Sequence, residues 1–166
     1  MEQIKVLVNG IYDKVGAITA RNVLRQADMY LLPTSITNCG FYRKGAINQV
    51  KINLIDPKEV NAKIVCNPIF GYSVPDVVVD FNPDSFFGKE IPEFLDAKTS
   101  FVLVAQNDKK DYTVKLTTMI EKLGVNIALL PENSSEAQIL SVIRCLYQKN
   151  KANIFGQVIS LEDIAA

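Results

Sequence analysis

Residues 5–16 read KVLVNGIYDKVG, and this stretch decides the fold. The apolar run at 5–8 predicts a strand, residues 9–14 a turn, and residues 15–26 a helix with apolar side chains at helical spacing. Gly10 and Gly16 flank the turn. In a parallel α/β sheet, glycines at this place let a phosphate approach the backbone N–H groups at the positive end of the first helix.

The alternation of short apolar runs with helical segments continues along the chain. Further strands are predicted at residues 29–36, 50–55, 76–81, 100–105 and 125–130. Further helices are predicted near 57–59 and at 83–95, 112–123 and 134–148. Such alternation is typical of βαβ units, so we predict the α/β class: a single Rossmann-like domain with a doubly wound, mostly parallel sheet.

Turn and cap residues set the expected boundaries of these elements. Gly124 is expected to end the helix before it, and Asn133 or Ser134 to cap the last helix. Residues 37–45 are rich in turn formers and are expected to form a loop, and residues 66–75, with two prolines and a glycine, an irregular connection. The strand at 50–55 alternates apolar with polar residues, which predicts a half-buried or edge strand.

Composition excludes several classes of protein. Lys and Arg together number 18, as do Asp and Glu, so no net charge attracts nucleic acid or an anionic membrane. No apolar run is long enough to span a bilayer and no leader segment is recognisable, so we expect a cytoplasmic protein. The chain has three scattered cysteines and no histidine, which argues against a disulfide framework and against a metal site built on imidazole.

The turn after the first strand holds most of the candidate binding residues. Its spacing is G-x-x-G-x-x-G with Asp13 at the central position, where a carboxylate adds bulk and negative charge beside a phosphate. The candidates within the turn are Gly10, Tyr12, Asp13, Lys14, Val15 and Gly16. Two readings stay open: the turn binds a nucleotide phosphate, or the glycines serve only a tight turn and close helix packing.

The end of the second predicted strand bears on the type of nucleotide. An acidic residue there binds the ribose hydroxyls of NADH, but this strand ends in Pro33, Thr34, Ser35 and Ile36. Ser35 with the nearby cation Arg43, which is followed by a second cation, Lys44, suits the 2′-phosphate of NADPH better than the free hydroxyls of NADH. The alternative is a solvated basic loop.

Three segments in order, KVLVNGIYDKVG, YLLPTSIT and PDVVVDFNPDSF, resemble dihydrodipicolinate reductase, the NAD(P)H-dependent enzyme of lysine biosynthesis. The resemblance implies that Gly10, Asp13 and Gly16 form the phosphate turn and that Ser35 lies at the ribose-selecting strand end. It also implies that Phe81 and Asn82 lie beside the nicotinamide. The chain departs from the family pattern at Asp13, at Asn82, and at VLVAQNDKK, which stands in place of a glycine-threonine-threonine-glycine turn.

The resemblance covers only the cofactor half of that enzyme. Residues 133–166 are similar to the helix and strand with which the family's chain returns to its nucleotide domain, and the substrate domain that should precede them is missing. That domain carries the family's paired histidines and a nearby lysine. The lack of any histidine in this chain agrees with its loss.

Three hypotheses about function remain open, and no residue is assigned a catalytic role beyond the candidate proton donors of the third. The first is a stand-alone domain that binds NADPH, NADH or a related nucleotide or small anion without reductase activity of its own. The second is a non-catalytic interaction protein, a pseudoenzyme that forms a homo-oligomer or docks a separate protein partner. The third is a reductase completed by a separate substrate-domain chain, or one acting alone on another small carbonyl or imine. Its candidate proton donors are Tyr12, Lys14, Tyr42 and Lys109.

Overall fold

The structure is a computed structural model, and it describes residues 2–37, 44–56, 74–81, 98–105, 118 and 121–161. In chain order the elements are β1 (Ile4–Asn9), α1 (Lys14–Leu24), β2 (Met29–Leu31), β3 (Thr34–Ile36), β4 (Lys44–Ile47), β5 (Val50–Ile55), β6 (Val77–Asp80), β7 (Ser100–Ala105), β8 (Ile127–Pro131), α2 (Glu136–Lys151) and β9 (Val158–Ile159). Residues 118 and 121–123 are also helical. The predicted elements at 57–59 and 83–95, and most of those at 66–75 and 112–123, lie outside the described residues.

Six strands form one parallel sheet in the order β2-β1-β6-β7-β8-β9. This arrangement confirms the predicted α/β Rossmann-like fold. The strand order reverses between β1 and β6, because β2 lies on one side of β1 and every later strand of this sheet lies on the other. In open α/β sheets a ligand crevice forms at this reversal, at the carboxyl ends of the strands.

Both faces of the sheet are buried. One face packs against α1 and α2 through a cluster that includes Val6, Val79, Val102 and Ile143, each fully buried. On the other face, side chains such as Leu7, Val78, Phe101, Leu103 and Ile127 are also no more than 1% exposed. Burial on both faces explains why the strands read as continuous apolar runs, such as VVV and FVLV, rather than as an alternation.

The predicted strand at 29–36 is wrong as a single element, because it divides at Pro33 into β2 and β3. Proline has no N–H to donate to a sheet ladder, and Thr34 N instead donates to Leu32 O in a tight turn, over 2.8 Å. The chain then leaves the main sheet. β3 pairs in parallel with β5, which forms an antiparallel pair with β4 in a separate three-stranded sheet.

The β4–β5 hairpin corrects two further predictions. The expected loop at 37–45 ends before Lys44, since β4 begins there. β5 is the middle strand of its sheet and not an edge, and its burial pattern confirms the other alternative, a half-buried strand. Asn48 and Gln49 connect the two strands with φ angles of 47° and 70°, the left-handed pair that a two-residue hairpin turn requires. Asn48 was the sequence signal for this turn.

Helix α2 begins at a different cap from those predicted. Its N-cap is Ser135, not Asn133 or Ser134, because Ser135 forms a reciprocal capping box with Gln138. Gln138 N donates to Ser135 Oγ over 3.2 Å, and Ser135 N donates to Gln138 Oε1 over 2.8 Å. The helix also runs to Lys151, beyond the expected residue 148. Gly124 has a φ of 64° directly after the helical residues 121–123, as expected of a helix-ending glycine.

Side-chain contacts join α2 to the loop between α1 and β2 and to the residue before β8. Arg144 donates two hydrogen bonds to the Asp28 carboxylate, from Nε over 2.7 Å and from Nη2 over 3.0 Å, and a third from Nη2 to Gln26 Oε1 over 2.9 Å. Near the helix end, Asn150 accepts from Asn126 Nδ2 over 3.1 Å, and both side chains are buried. These contacts hold the C-terminal segment against β2 and β8.

Candidate functional site

Gly10 makes the turn from β1 toward α1. Its φ is +78°, a left-handed value at which any side chain is strained. Gly10 N donates to Ile36 O and Asp13 N donates to Gly10 O, both over 2.9 Å. The backbone conformation therefore requires the first glycine of the predicted phosphate turn, and its N–H joins the turn to β3.

Gly16 lets α1 pack directly on this turn. A Cβ atom at residue 16 would lie 2.1 Å from Gly10 O, a separation that no side chain can occupy. The close approach matches the role of the last glycine in dinucleotide-binding turns, which is close helix–strand packing. Close packing of α1 on the turn therefore requires Gly16, a role that both interpretations of the turn contain.

Asp13 caps α1. The residue is extended, with φ −71° and ψ 139°, and its Oδ1 accepts a hydrogen bond from Val15 N over 2.9 Å. Its backbone oxygen accepts from Ala17 N over 2.9 Å. The side chain is exposed. A carboxylate of the chain itself therefore lies at the positive end of α1, where a bound phosphate would otherwise receive hydrogen bonds.

Ser35 is fully buried in β3, and its Oγ accepts a hydrogen bond from Ile11 N over 3.3 Å. This contact joins β3 to the turn after β1. The hydroxyl predicted to select the ribose thus has a partner within the fold. Arg43, the cation predicted to act with it, lies outside the described residues, as does Asn82.

Sequence reasoning missed two buried polar residues at the reversal of strand order. Asn9 ends β1 and Asp80 ends β6; they pair across the sheet and each is 1% exposed. Asn9 Oδ1 accepts from Ile36 N over 3.0 Å, and Asn9 Nδ2 donates to Asp80 Oδ2 over 3.4 Å. The signal was present in the sequence, since each is the first polar residue after an apolar run.

The reversal of strand order brings several predicted residues together. A Cβ on Gly10 would lie 3.6 Å from the Phe81 Cβ, so the turn after β1 and the residue after β6 are neighbours. Phe81 is half-buried, whereas Tyr12 is 51% and Val15 37% exposed and Lys14 is exposed. The two strand ends thus meet beside an exposed segment that carries a ring, an aliphatic side chain and a cation.

The described residues of the site offer hydrogen bonding and apolar contact. Among the described residues, no group of three or more Cys, Asp or Glu side chains is placed to hold a metal ion. No helix in the described part of the chain is long and apolar enough to cross a membrane.

The described pKa shifts belong to ion pairs away from this site. Arg144 holds the pKa of Asp28 below its ordinary value chiefly by hydrogen bonding, and Lys151 does the same for Glu2.

A pocket lies elsewhere, at the far edge of the sheet. It has a volume of about 490 Å³ and is lined by Cys145, Lys149, Gln157, Val158 and Ile159. Strand β9, which forms one wall, is separated from β1 by β6, β7 and β8. The pocket is therefore not the crevice at the reversal of strand order.

Comparison with models of protein families and with curated protein sequences finds no match to this chain. The fold and the turn define a Rossmann-like α/β domain with a glycine turn at the carboxyl end of β1. The resemblance to dihydrodipicolinate reductase is a hypothesis that rests on the three quoted segments.

Proposed function

We propose that this chain is a stand-alone domain, derived from a dihydrodipicolinate reductase-like enzyme, that binds NADPH, NADH or a related nucleotide and has no reductase activity by itself. One observation carries the proposal: the turn from Gly10 to Gly16 lies where the strand order reverses, beside Phe81. This is the position at which parallel α/β sheets bind nucleotides.

The lack of reductase activity follows from the chemistry of hydride transfer. The nicotinamide must face a desolvated substrate, with a proton donor in reach. In the family that this chain resembles, the substrate and the paired histidines lie in a substrate domain on the far side of the nicotinamide. This chain has no counterpart of that domain, and the sequence contains no histidine. The proposed function is therefore binding of the nucleotide without turnover.

A titration followed by nuclear magnetic resonance tests the proposal and locates the ligand. Backbone amide signals are recorded while NADPH, NADH or adenosine is added, since this detects weak binding that a thermal shift misses. We expect saturable changes at Val15, Gly16 and Phe81. Changes scattered over the surface, or none with any of the three ligands, would overturn the proposal.

A matched pair of variants checks that the response comes from the crevice. Val15 at the start of α1 and Val50 in the β4–β5 hairpin are each 37% exposed. Val15→Glu places charge and bulk at the proposed site, whereas Val50→Glu makes the same change away from it. Binding should be lost in the first variant and retained in the second. Equal effects would contradict the assignment.

A second candidate function, a non-catalytic interaction protein, is favoured by one observation. Ile154, Phe155 and Val158 are 40%, 36% and 55% exposed, and they lie at or just before β9, the last strand of the main sheet. Open sheet edges with exposed apolar side chains are sites of association. Light scattering tests this candidate: a mass above that of one chain that falls to one chain in Val158→Lys supports it, and a monomer at all concentrations opposes it.

A further inference from the structure

Asp13 holds a fixed negative charge within the proposed nucleotide site. Its carboxylate is oriented by the hydrogen bond from Val15 N, and no other acidic residue lies in the first turn of α1. The side chain is exposed, so it faces whatever approaches the turn. In a turn that receives pyrophosphate, the backbone comes close to the ligand at a glycine, without a side chain in between.

Two physical effects follow for a phosphate that would lie against α1. The Val15 N–H, one of the donors it would use, already has an acceptor. The phosphate would also stand beside a like charge, and such juxtaposition weakens binding even when both groups keep part of their hydration. Lys14 is exposed and flexible and can turn toward either charge, whereas the Asp13 carboxylate is held by its cap.

We infer that Asp13 is a specificity-determining residue that excludes phosphate from the start of α1, so that the site prefers a nucleoside to a dinucleotide. The inference rests on the proposed function, because it concerns the same crevice. Phe81, which lies against Gly10, is half-buried and uncharged, so its exposed part does not repel an uncharged base or sugar. The ligand class that fits is therefore a nucleoside, or a nucleotide whose phosphates point away from α1.

Two variants separate the charge of Asp13 from its volume. Asp13→Asn keeps the helix cap and the shape of the side chain and removes the charge, since asparagine and aspartate cap helices about equally well. Asp13→Gly removes the side chain as well. Glu136→Gln is the matched control, because Glu136 is an exposed carboxylate in the first turn of α2. Thermal unfolding of each variant confirms that it is folded.

The dissociation constants of adenosine, NADH and inorganic pyrophosphate are measured for the wild type and all three variants. We expect adenosine to bind all of them alike. NADH and pyrophosphate should bind Asp13→Asn and Asp13→Gly about tenfold more tightly than the wild type, with no gain in Glu136→Gln.

The outcomes separate the inference from the proposed function. If adenosine binds but neither Asp13 variant gains affinity for NADH or pyrophosphate, the inference is wrong and the proposed function stands. The same holds if the wild type binds NADH as tightly as Asp13→Asn does. If no variant binds any of the three probes, the proposed function itself fails, and the inference with it.

Discussion

Arg144 and Asp28 form a two-fold hydrogen-bonded ion pair across 116 residues of sequence, with Nε–Oδ2 and Nη2–Oδ1 distances of 2.7 and 3.0 Å. The pair joins the middle of α2 to the loop between α1 and β2. Because the guanidinium presents two parallel donors to one carboxylate, the contact fixes orientation as well as distance. It therefore holds the C-terminal helix in register with the N-terminal βα unit.

This ion pair predicts a pH-dependent part of the stability. Arg144 lowers the pKa of Asp28 through its hydrogen bonds, so the folded protein keeps Asp28 ionised at a lower pH than the unfolded chain does. The stabilisation is complete above the pKa of the unfolded state, near 4, and is lost as the pH falls through the lower folded value. The side chains are 40% and 38% exposed, so solvent screening limits the contribution to about 1 kcal/mol or less.

Urea unfolding of Arg144→Gln at pH 7 and at pH 3 measures that contribution. The loss relative to wild type should be larger at pH 7 and should shrink at pH 3. Arg25→Gln removes an exposed arginine from the end of α1 and serves as the control. An equal loss at both pH values would show that Arg144 stabilises the fold by packing and not through the ionised carboxylate.

Gly16→Ala is predicted to destabilise the protein, although alanine favours helices. The new methyl group would lie 2.1 Å from Gly10 O, so α1 must move away from β1. We expect the free energy of unfolding to fall by about 1–3 kcal/mol, as in other overpacked sites. At Gly124 a Cβ meets nothing within 4 Å but φ is +64°, so Gly124→Ala should cost about 1–2 kcal/mol through backbone strain alone.

Chemical denaturation of Gly16→Ala and Gly124→Ala, together with crystal structures, distinguishes the two causes. A displaced α1 is expected in Gly16→Ala and an unshifted α1 in Gly124→Ala. A stable Gly16→Ala protein with α1 in place would contradict the close approach.

Ser35→Ala tests whether this hydroxyl has a role in the fold. Its removal leaves Ile11 N–H buried without its acceptor, which costs about 1–3 kcal/mol even when no ligand is present. Ser141→Ala is the control, because Ser141 is exposed within α2 and alanine there is at least neutral. Thermal unfolding of the ligand-free proteins provides the comparison. If the two variants are equally stable, the Ser35 hydroxyl does not stabilise the fold, and contact with a ligand would be its role.

Ser135→Ala is predicted to shorten or destabilise α2. The substitution removes the acceptor for Gln138 N and half of the capping box, at a cost of about 0.5–2 kcal/mol. Asn133→Ala changes a residue that sequence pattern alone also suggested as a cap, and it should leave stability nearly unchanged. The helical circular dichroism signal and the unfolding midpoint are the measurements. A larger loss of stability in Asn133→Ala than in Ser135→Ala would show that Asn133, not Ser135, caps the helix.

Much of the fold was predictable because its signals are local. The spacing from Gly10 to Gly16 and the apolar runs of β1, β6 and β7 each specify an element within a few residues. The β4–β5 hairpin was missed because its turn, Asn48–Gln49, lacks the glycine that marks most such turns. The division at Pro33 was missed because Thr34 and Ile36 beyond it are β-branched and favour a strand as strongly as the apolar residues before it.

The candidate site was predictable only as a set of residues. The sequence indicated the turn around Asp13, but it did not reveal that the Asp13 carboxylate caps α1 or that the Ser35 hydroxyl is fully buried. The Asp13 cap is a local contact with a residue two positions along the chain, and aspartate is a favoured N-cap residue, whereas the burial of Ser35 depends on where β3 lies after it leaves the main sheet. Hydrogen bonds between distant segments have no fixed spacing in the sequence, so pattern alone could not assign them.

The sequence by itself determined most strands of the main sheet, the helices α1 and α2, the glycine turn after β1 and the absence of histidine. These depend on residue type and on spacing over one or two turns of backbone. Only the tertiary structure decided that β6 pairs with β1, that Asn9 meets Asp80, and that Arg144 meets Asp28. Such pairings follow from burying both faces of one parallel sheet, and that requirement acts between segments far apart in the chain.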